Sequence, residues 1–489
     1  MEKQSINDIG QALEAESVPE HHTDLPPLSK KTKLKVDIRL VLTIGMVYAL
    51  SVIDRINIGS AKVVGMADDL KLDVGNRYSV VLLVFFPAYL LGELPSNLAL
   101  VKFGVANTLS VLVIGMGCFT IGQGHINSWQ GLAVMRFFLG LFEGGVFPAV
   151  IFLCASWWPR YEVHKRLALL YGIGLVSSAF AGLLAYAIGL MDGDRGWRGW
   201  RWIFTIEGTV TIAFGLLLRC LIDDFPDRAT FLSEEERAQI VRRIEADRGD
   251  ATTEKVTLKN VKDLKDWTLW LTTWMYFCNV VAVYGLAYFV PSIIAVSLPL
   301  MKPVLSSMLT VSQAMGHSGV MASLYSAPPY LVGLGFLIIG GTLGDYFKRR
   351  LPIILVQTTL GTIGLALMSQ PQLSAHVRYL GIFLAIASCQ ANNTAILIFG
   401  QNNVVGSAKM NIASVLNISS GTISGIIGST IYTEATAPKY LPGLATTMAL
   451  NACLILTCIV AWIVLHRKNM QADQGKVVFH NLPEWRWTL

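Results

Sequence analysis

The sequence predicts an all-α membrane protein with twelve transmembrane helices in two pseudo-symmetric six-helix bundles. Three observations lead there. Of 489 residues, 53% are apolar and only 15% are Asp, Glu, Lys or Arg, where about 25% is usual for a soluble domain. Mean hydropathy is +0.52, and the apolar residues fall in blocks near the ~20 residues that a helix needs to cross a bilayer. The longest polar interruption, 223–266, leaves six such blocks on either side. This composition excludes a water-soluble enzyme, a disordered chain and a disulfide scaffold. The 43 glycines agree, since glycine is commoner in membrane helices than in soluble ones.

The elements follow in order. Residues 1–37 are polar, contain Pro26-Pro27 and end in the basic run Lys30–Lys35, so they read as a disordered tail with no signal-peptide core. The first six spans lie at about 38–58, 77–98, 105–124, 127–152, 167–190 and 201–222. Together, 38–222 is the first bundle. The 223–266 loop holds an amphipathic helix with Ser233 as N-cap and acids in its first turn. Six further spans lie at about 267–291, 322–344, 352–370, 376–400, 408–432 and 441–466. They make the second bundle, 267–467, and 468–489 is the C-terminal tail.

Basic residues in short loops set orientation. Fifteen lie on the side of the tails and nine on the other, which puts both termini and the central loop in the cytoplasm. The plasma membrane is the expected location, with a vacuolar or other organelle membrane as the alternative. The formal charge of +6 belongs to these loops. No basic stripe with interleaved aromatics points to nucleic acid, so the bilayer is the expected macromolecular partner and the chain is expected to be a monomer. All seven cysteines sit in apolar stretches without framework or CxxC spacing, so they read as small packing residues and not as disulfides or metal ligands. The sequons at Asn392 and Asn417 fall inside spans and read as chance matches. Neither a cofactor-binding nor a catalytic motif is present, and none is expected.

Ionisable residues inside spans carry the chemistry, because each is costly there and faces a partner or a cavity. In the first span, Asp54 and Arg55 lie ~24 Å along the helix from Arg39. They read either as an anion-binding arginine beside a titratable acid or as an ion pair capping the helix at the membrane edge. In the fourth span, RFFLGLFEGGVFPAV, Arg136 and Glu143 are seven residues apart and share one face. Gly140 and Gly144 near that face permit close helix packing. This stripe reads as functional, with a structural salt bridge as the alternative, and a carboxylate buried there is suited to proton exchange. Glu93 reads as a helix-packing residue and Glu207 as an interfacial anchor with an internal ion pair. Tyr89 either offers its hydroxyl to a ligand or packs. Tyr284, Asn392 and Asn393 either line a cavity or bond another helix.

Several segments resemble a known family. They are DRINIGSAKVVGM (Asp54–Met66), YLLGELPSN (Tyr89–Asn97), RFFLGLFEGGVFPAVIFLCASWWPRYEVHKR (Arg136–Arg166), GWRGWRWIFTIEG (Gly196–Gly208), YSAPPYLV (Tyr325–Val332) and APKYLPG (Ala437–Gly443). GGTLGDYFKRR (Gly340–Arg350) resembles a loop motif with Asp345 followed by Lys348, Arg349 and Arg350. Over about 45–445 the chain resembles the major facilitator superfamily, and within it the anion:cation symporters of the fungal allantoate-permease-like branch. The resemblance implies two bundles rocking around a central site. It implies that Arg55 and Arg136 hold an anionic substrate, that Glu143 with Asp54 carries the proton, that Tyr89 lines the cavity, and that the Asp345–Arg350 loop changes with conformation. The fifth span lacks the glutamine that some members use on the substrate and has Leu175 nearby, which favours a smaller or more apolar anion over a sugar acid.

The expected function is therefore secondary active transport of a small organic anion, a monoanion or dicarboxylate, coupled to protons. Export of a secondary metabolite on the same fold is the alternative, and a non-transporting nutrient sensor a third reading.

Overall fold

The computed structural model describes residues 28–158, 160–223, 226–248, 266–297, 318–370, 372–404, 407–432, 436, 440–477 and 486–488. Expectations for 1–27, 249–265, the basic residues Lys302 and Lys439, 478–485 and 489 fall outside these. Every regular element among the described residues is helical. Twelve helices are long and apolar enough to cross a bilayer. They are α1 (Lys30–Leu70), α2 (Arg77–Leu100), α3 (Val105–Gly124), α4 (Trp129–Val150), α5 (Leu169–Gly189) and α6 (Gly199–Leu221). The second six are α7 (Trp267–Ala295), α8 (Val320–Phe347), α9 (Leu351–Ser369), α10 (Ala375–Asn402), α11 (Ile412–Thr430) and α12 (Leu441–Asp473).

The expected spans are all present, and α1 is longer than expected at both ends. Lys30–Val36 is helical, capped by the Ser29 hydroxyl, with Thr32 and Val36 buried. These residues are no disordered tail, because the loop helix Glu234–Arg248 gives them a surface to pack on. Thr32 Oγ1 donates to Glu236 Oε1 at 2.9 Å, and Lys35 Nζ reaches Glu236 Oε2 at 3.3 Å. Ser233 and Glu236 exchange reciprocal cap bonds of 3.0 and 3.2 Å, the capping box that the sequence predicts in part. At its other end α1 runs on to Leu70 through Gly65, whose φ of +110° and contact with the Arg198 guanidinium suit glycine.

Glycine sets the closest helix pairs. A Cβ on Gly117 of α3 would stand 2.7 Å from Gly208 O of α6, and one on Gly208 would stand 2.6 Å from Gly117 O. On α4, Gly140 and Gly144 lie against the carbonyls of Phe85 and Tyr89 on α2, where a Cβ would come within 2.3 and 2.1 Å. The expected close packing of Gly140 and Gly144 is thus present, backbone on backbone. α4 then breaks at Gly144-Gly145 and restarts at Val146. Gly364 and Gly381 do the same for α9 and α10, each within 2.6 Å of the other's carbonyl if given a Cβ.

The two halves meet at the end away from the termini. Gly59 lies under Tyr288 O, Gly182 under Ser323 O and Gly189 against Val320. Tyr78 Oη donates to Tyr288 O at 3.4 Å. Lys62 stands 4.5 Å from the Tyr78 ring and 5.9 Å from the Phe289 ring. Nearer the middle, the halves face each other across a cavity.

Candidate functional site

The cavity is about 170 Å³, lies between the halves and is lined from α1, α2, α4 and α5 on one side and α7, α8, α10 and α11 on the other. The α1 lining residues Tyr48, Ser51, Val52, Arg55 and Ile56 follow helical spacing along one stripe. Arg55 is the residue on that stripe that carries charge. Its Nε donates to Glu143 Oε1 at 3.0 Å, its Nη2 donates to the same oxygen, and its Nη1 donates to Tyr284 Oη at 3.0 Å. Ser51 Oγ adds a third bond to Glu143 Oε1 at 2.5 Å. Glu143 Oε2, by contrast, is buried without a hydrogen-bond partner. The guanidinium also sits 5.5 Å from the Phe85 ring and 5.6 Å from the Tyr89 ring, within range of a cation–π contact.

The close α2–α4 approach positions this group. Because Gly140 and Gly144 bring α4 onto α2, Glu143 at the end of the first α4 segment reaches α1 across the cavity wall. Arg55, Tyr89, Tyr284, Asn393 and Glu143 all line the cavity. Arg136, Asp54 and Asn392 do not. Asn392 is 1% exposed and donates to Thr358 Oγ1 of α9 at 2.9 Å, so it bonds another helix.

Arg136 and Asp54, each 1% exposed, belong to a second polar group inside the first half. Arg136, Asp54 and Glu207 of α6 interact electrostatically, with Thr120, Thr211 and Asn57 beside the carboxylates. Glu207 is 3% exposed, so it is no interfacial anchor. Asp54 does not cap a helix end, since α1 continues sixteen residues beyond it to Leu70. Neither carboxylate of Asp54 and Glu207, nor Nε and Nη2 of Arg136, has a hydrogen-bond partner. Two carboxylates and one guanidinium thus form a buried polar cluster with unpartnered atoms, and such groups in a folded interior call for a partner. The two residues of the predicted stripe therefore have different surroundings: Glu143 lines the cavity and pairs with Arg55, while Arg136 stays outside it, among Tyr288, Tyr78 and Asp54 and within electrostatic reach of Glu143.

Near the ends of the spans, Arg350 donates to Gly341 O at 3.3 Å and pairs with Asp345. Gly344 makes room for it, since a Cβ there would lie 2.4 Å from Arg350 Nη1. Lys348 and Arg349 are exposed. Lys409 pairs with Asp266, and Arg166 grips both oxygens of Asp37 at 2.9 and 3.0 Å.

Sequence reasoning missed Ser51, Tyr48, Tyr171, Tyr276, Gln390 and Thr394 as lining residues. Tyr48 and Ser51 precede Arg55 by seven and four residues, a helical signal that was present. The others come from helices that meet only in the folded chain. The described residues contain no group of three or more His, Cys, Asp or Glu side chains able to hold a metal.

Comparison with known proteins identifies the family. The family model of the Major Facilitator Superfamily matches residues 44–429. The chain belongs to this superfamily. MFS-type transporter cnsO of Penicillium expansum is 28% identical over 457 residues, covering 90% of this chain and 84% of that one. The high-affinity nicotinic acid transporter of Saccharomyces cerevisiae is 26% identical over 460 residues, 94% of this chain and 81% of that one. Among solved structures, a bacterial homologue of the human lysosomal transporter Spinster superposes with a TM-score of 0.64 at 16% identity, over 91% of this chain and 98% of that one. This major facilitator protein is thus an integral, multi-pass membrane transporter and not an enzyme.

Proposed function

We propose that this transporter carries a small organic anion together with a proton, as an anion:cation symporter of the allantoate-permease-like branch. One observation carries the reading: the Arg55 guanidinium faces the cavity while bound to a carboxylate, Glu143, through a single oxygen. A substrate carboxylate is the natural competitor for that guanidinium, which grips carboxylates through paired N–H groups. Protonating Glu143 at its unpartnered Oε2 weakens its hold on Arg55 and frees it for the substrate. The exchange is charge-balanced. Before it, Arg55 pairs with the Glu143 carboxylate; after it, Arg55 pairs with the substrate carboxylate and Glu143 is neutral. The site is therefore neutral in both states, which keeps closure around the substrate from burying an unpaired charge.

Asp54, Arg136 and Glu207 form a second proton-holding group beside it, one peptide unit from Arg55 through Asp54. Tyr89 and Tyr284 flank the bound anion. The Asp345–Arg350 pair steadies one end of the bundle and yields as the halves rock. With both termini cytoplasmic, the closed end is external and the cavity serves the cytoplasmic side in this state. The chain works as a monomer in the plasma membrane, and the direction of net flow follows the combined anion and proton gradients.

The nicotinic acid transporter among the relatives supports an aromatic or small carboxylate over a sugar. Binding of a carboxylate panel to the purified protein tests the reading. Arg55→Ala should abolish binding of every acid that the parent binds. Parent-like binding by that variant contradicts it.

A further inference from the structure

Arg55 accounts for the positive charge among the described lining residues of the cavity. The walls are aromatic, with six tyrosines, Tyr48, Tyr89, Tyr171, Tyr276, Tyr284 and Tyr330, drawn from both halves. Tyr48 meets Tyr171 edge-on with centroids 6.1 Å apart, and Phe86 meets Tyr284 edge-on at 5.1 Å. Such a wall offers ring faces and edges to a flat π system, worth more than the area it buries, while a saturated chain gains the area alone. A polyhydroxylated ligand would leave hydroxyls unpaired against Leu175, Val280 and Val283, which is costly away from water.

The second half contributes a polar stretch from one helix. Gln390, Asn393 and Thr394 of α10 all line the cavity, and Asn393 Oδ1 and Thr394 Oγ1 are buried there without hydrogen-bond partners. These orphaned atoms call for a partner. Arg55 is the sole Lys, Arg or His among the described lining residues, so a second carboxylate would find no cation and would be buried unpaired.

We propose that the substrate is a planar aromatic monocarboxylate with a hydrogen-bonding group on the ring, its carboxylate on Arg55 and its ring group on Asn393 and Thr394. This rests on the carboxylate-transport reading above. It narrows that reading to monoanions and gives the α10 amide a role in selecting the ring.

The test is equilibrium binding of benzoate, cyclohexanecarboxylate, 3- and 4-hydroxybenzoate and gluconate to the purified full-length protein, its Arg55→Ala variant and its Asn393→Leu variant. Benzoate should bind about tenfold tighter than cyclohexanecarboxylate, the size of one ring–ring contact. At least one hydroxybenzoate should bind several-fold tighter than benzoate, and Asn393→Leu should erase that gain while changing benzoate affinity less than threefold. If Asn393→Leu does not fold, Thr394→Val is read the same way. Equal binding of benzoate and cyclohexanecarboxylate, or tightest binding of gluconate, overturns the aromatic class and leaves the carboxylate reading standing. A hydroxyl gain that survives in the α10 variant overturns the role of Asn393. No Arg55-dependent binding of any acid overturns the carboxylate reading and this inference with it.

Discussion

Arg55 and Glu143 are joined through one carboxylate oxygen. Oε1 accepts Arg55 Nε at 3.0 Å and Ser51 Oγ at 2.5 Å, while Oε2 accepts nothing. In the proposed mechanism this asymmetry lets one oxygen take a proton while the other holds the arginine, which ties protonation of Glu143 to release of Arg55.

Arg55→Lys should reduce substrate affinity at least tenfold with normal insertion. Lysine keeps the charge but loses the planar fork and the contacts with the Phe85 and Tyr89 rings. Binding by scintillation proximity, beside a melting curve, checks it; affinity within threefold of the parent would contradict it.

Gly144→Ala should destabilise the protein by about 1–3 kcal/mol through overpacking, since its Cβ would stand 2.1 Å from Tyr89 O. It should also weaken substrate binding, because α4 carries Glu143. Gly335→Ala is the comparison, as a Cβ there meets nothing within 4 Å. Melting temperatures should fall for the first variant and hold or rise for the second.

Most of the fold was legible because span length is set by the bilayer and a hydropathy pattern reports it directly. Arg55, Glu143 and the Gly140/Gly144 packing were legible for a related reason, since few residue types tolerate such positions. The pairing was not legible. Arg136 and Glu143 share a helix face but lie ~10 Å apart along it, far enough for one to meet Glu207 and Asp54 and the other Arg55. Asn392 and Asn393 are ~100° apart on α10, so only one could face the cavity, and sequence alone does not say which. The helical start of α1 was hidden because its partner is the distant loop helix.

The clasp between that start and the loop helix should resist mild acid. Backbone N–H donation from Ser233, with help from Thr32 and then Lys35, holds the Glu236 carboxyl below its usual value of 4.5. A lowered carboxylate contributes stability above its unfolded value and loses it as pH falls through the folded one. Protection factors for amide hydrogen exchange at residues 30–36 and 234–248 should therefore be unchanged from pH 7 to 5 and fall only below the ordinary carboxylate range. Glu236→Gln should lower them already at pH 7.

Arg350→Ala should slow transport several-fold while leaving substrate affinity within about twofold. Its partners, Asp345 and Gly341 O, lie away from the cavity. Initial uptake rates and binding on the same preparation separate the two effects. Equal loss in both would place Arg350 in binding.

The central claim is that proton and anion together open one ion pair, the proton taking Glu143 and the anion taking Arg55. Substrate-induced proton movement in proteoliposomes tests it most directly, with a pH dye inside and an organic-acid substrate added outside. The parent should acidify the lumen with each substrate entering, without generating a membrane potential when the substrate is a monoanion. Glu143→Gln, which fixes the neutral form, should still bind and exchange substrate but give no proton signal and no accumulation against a gradient. Parent-like proton movement and pH-driven accumulation by Glu143→Gln would contradict the account.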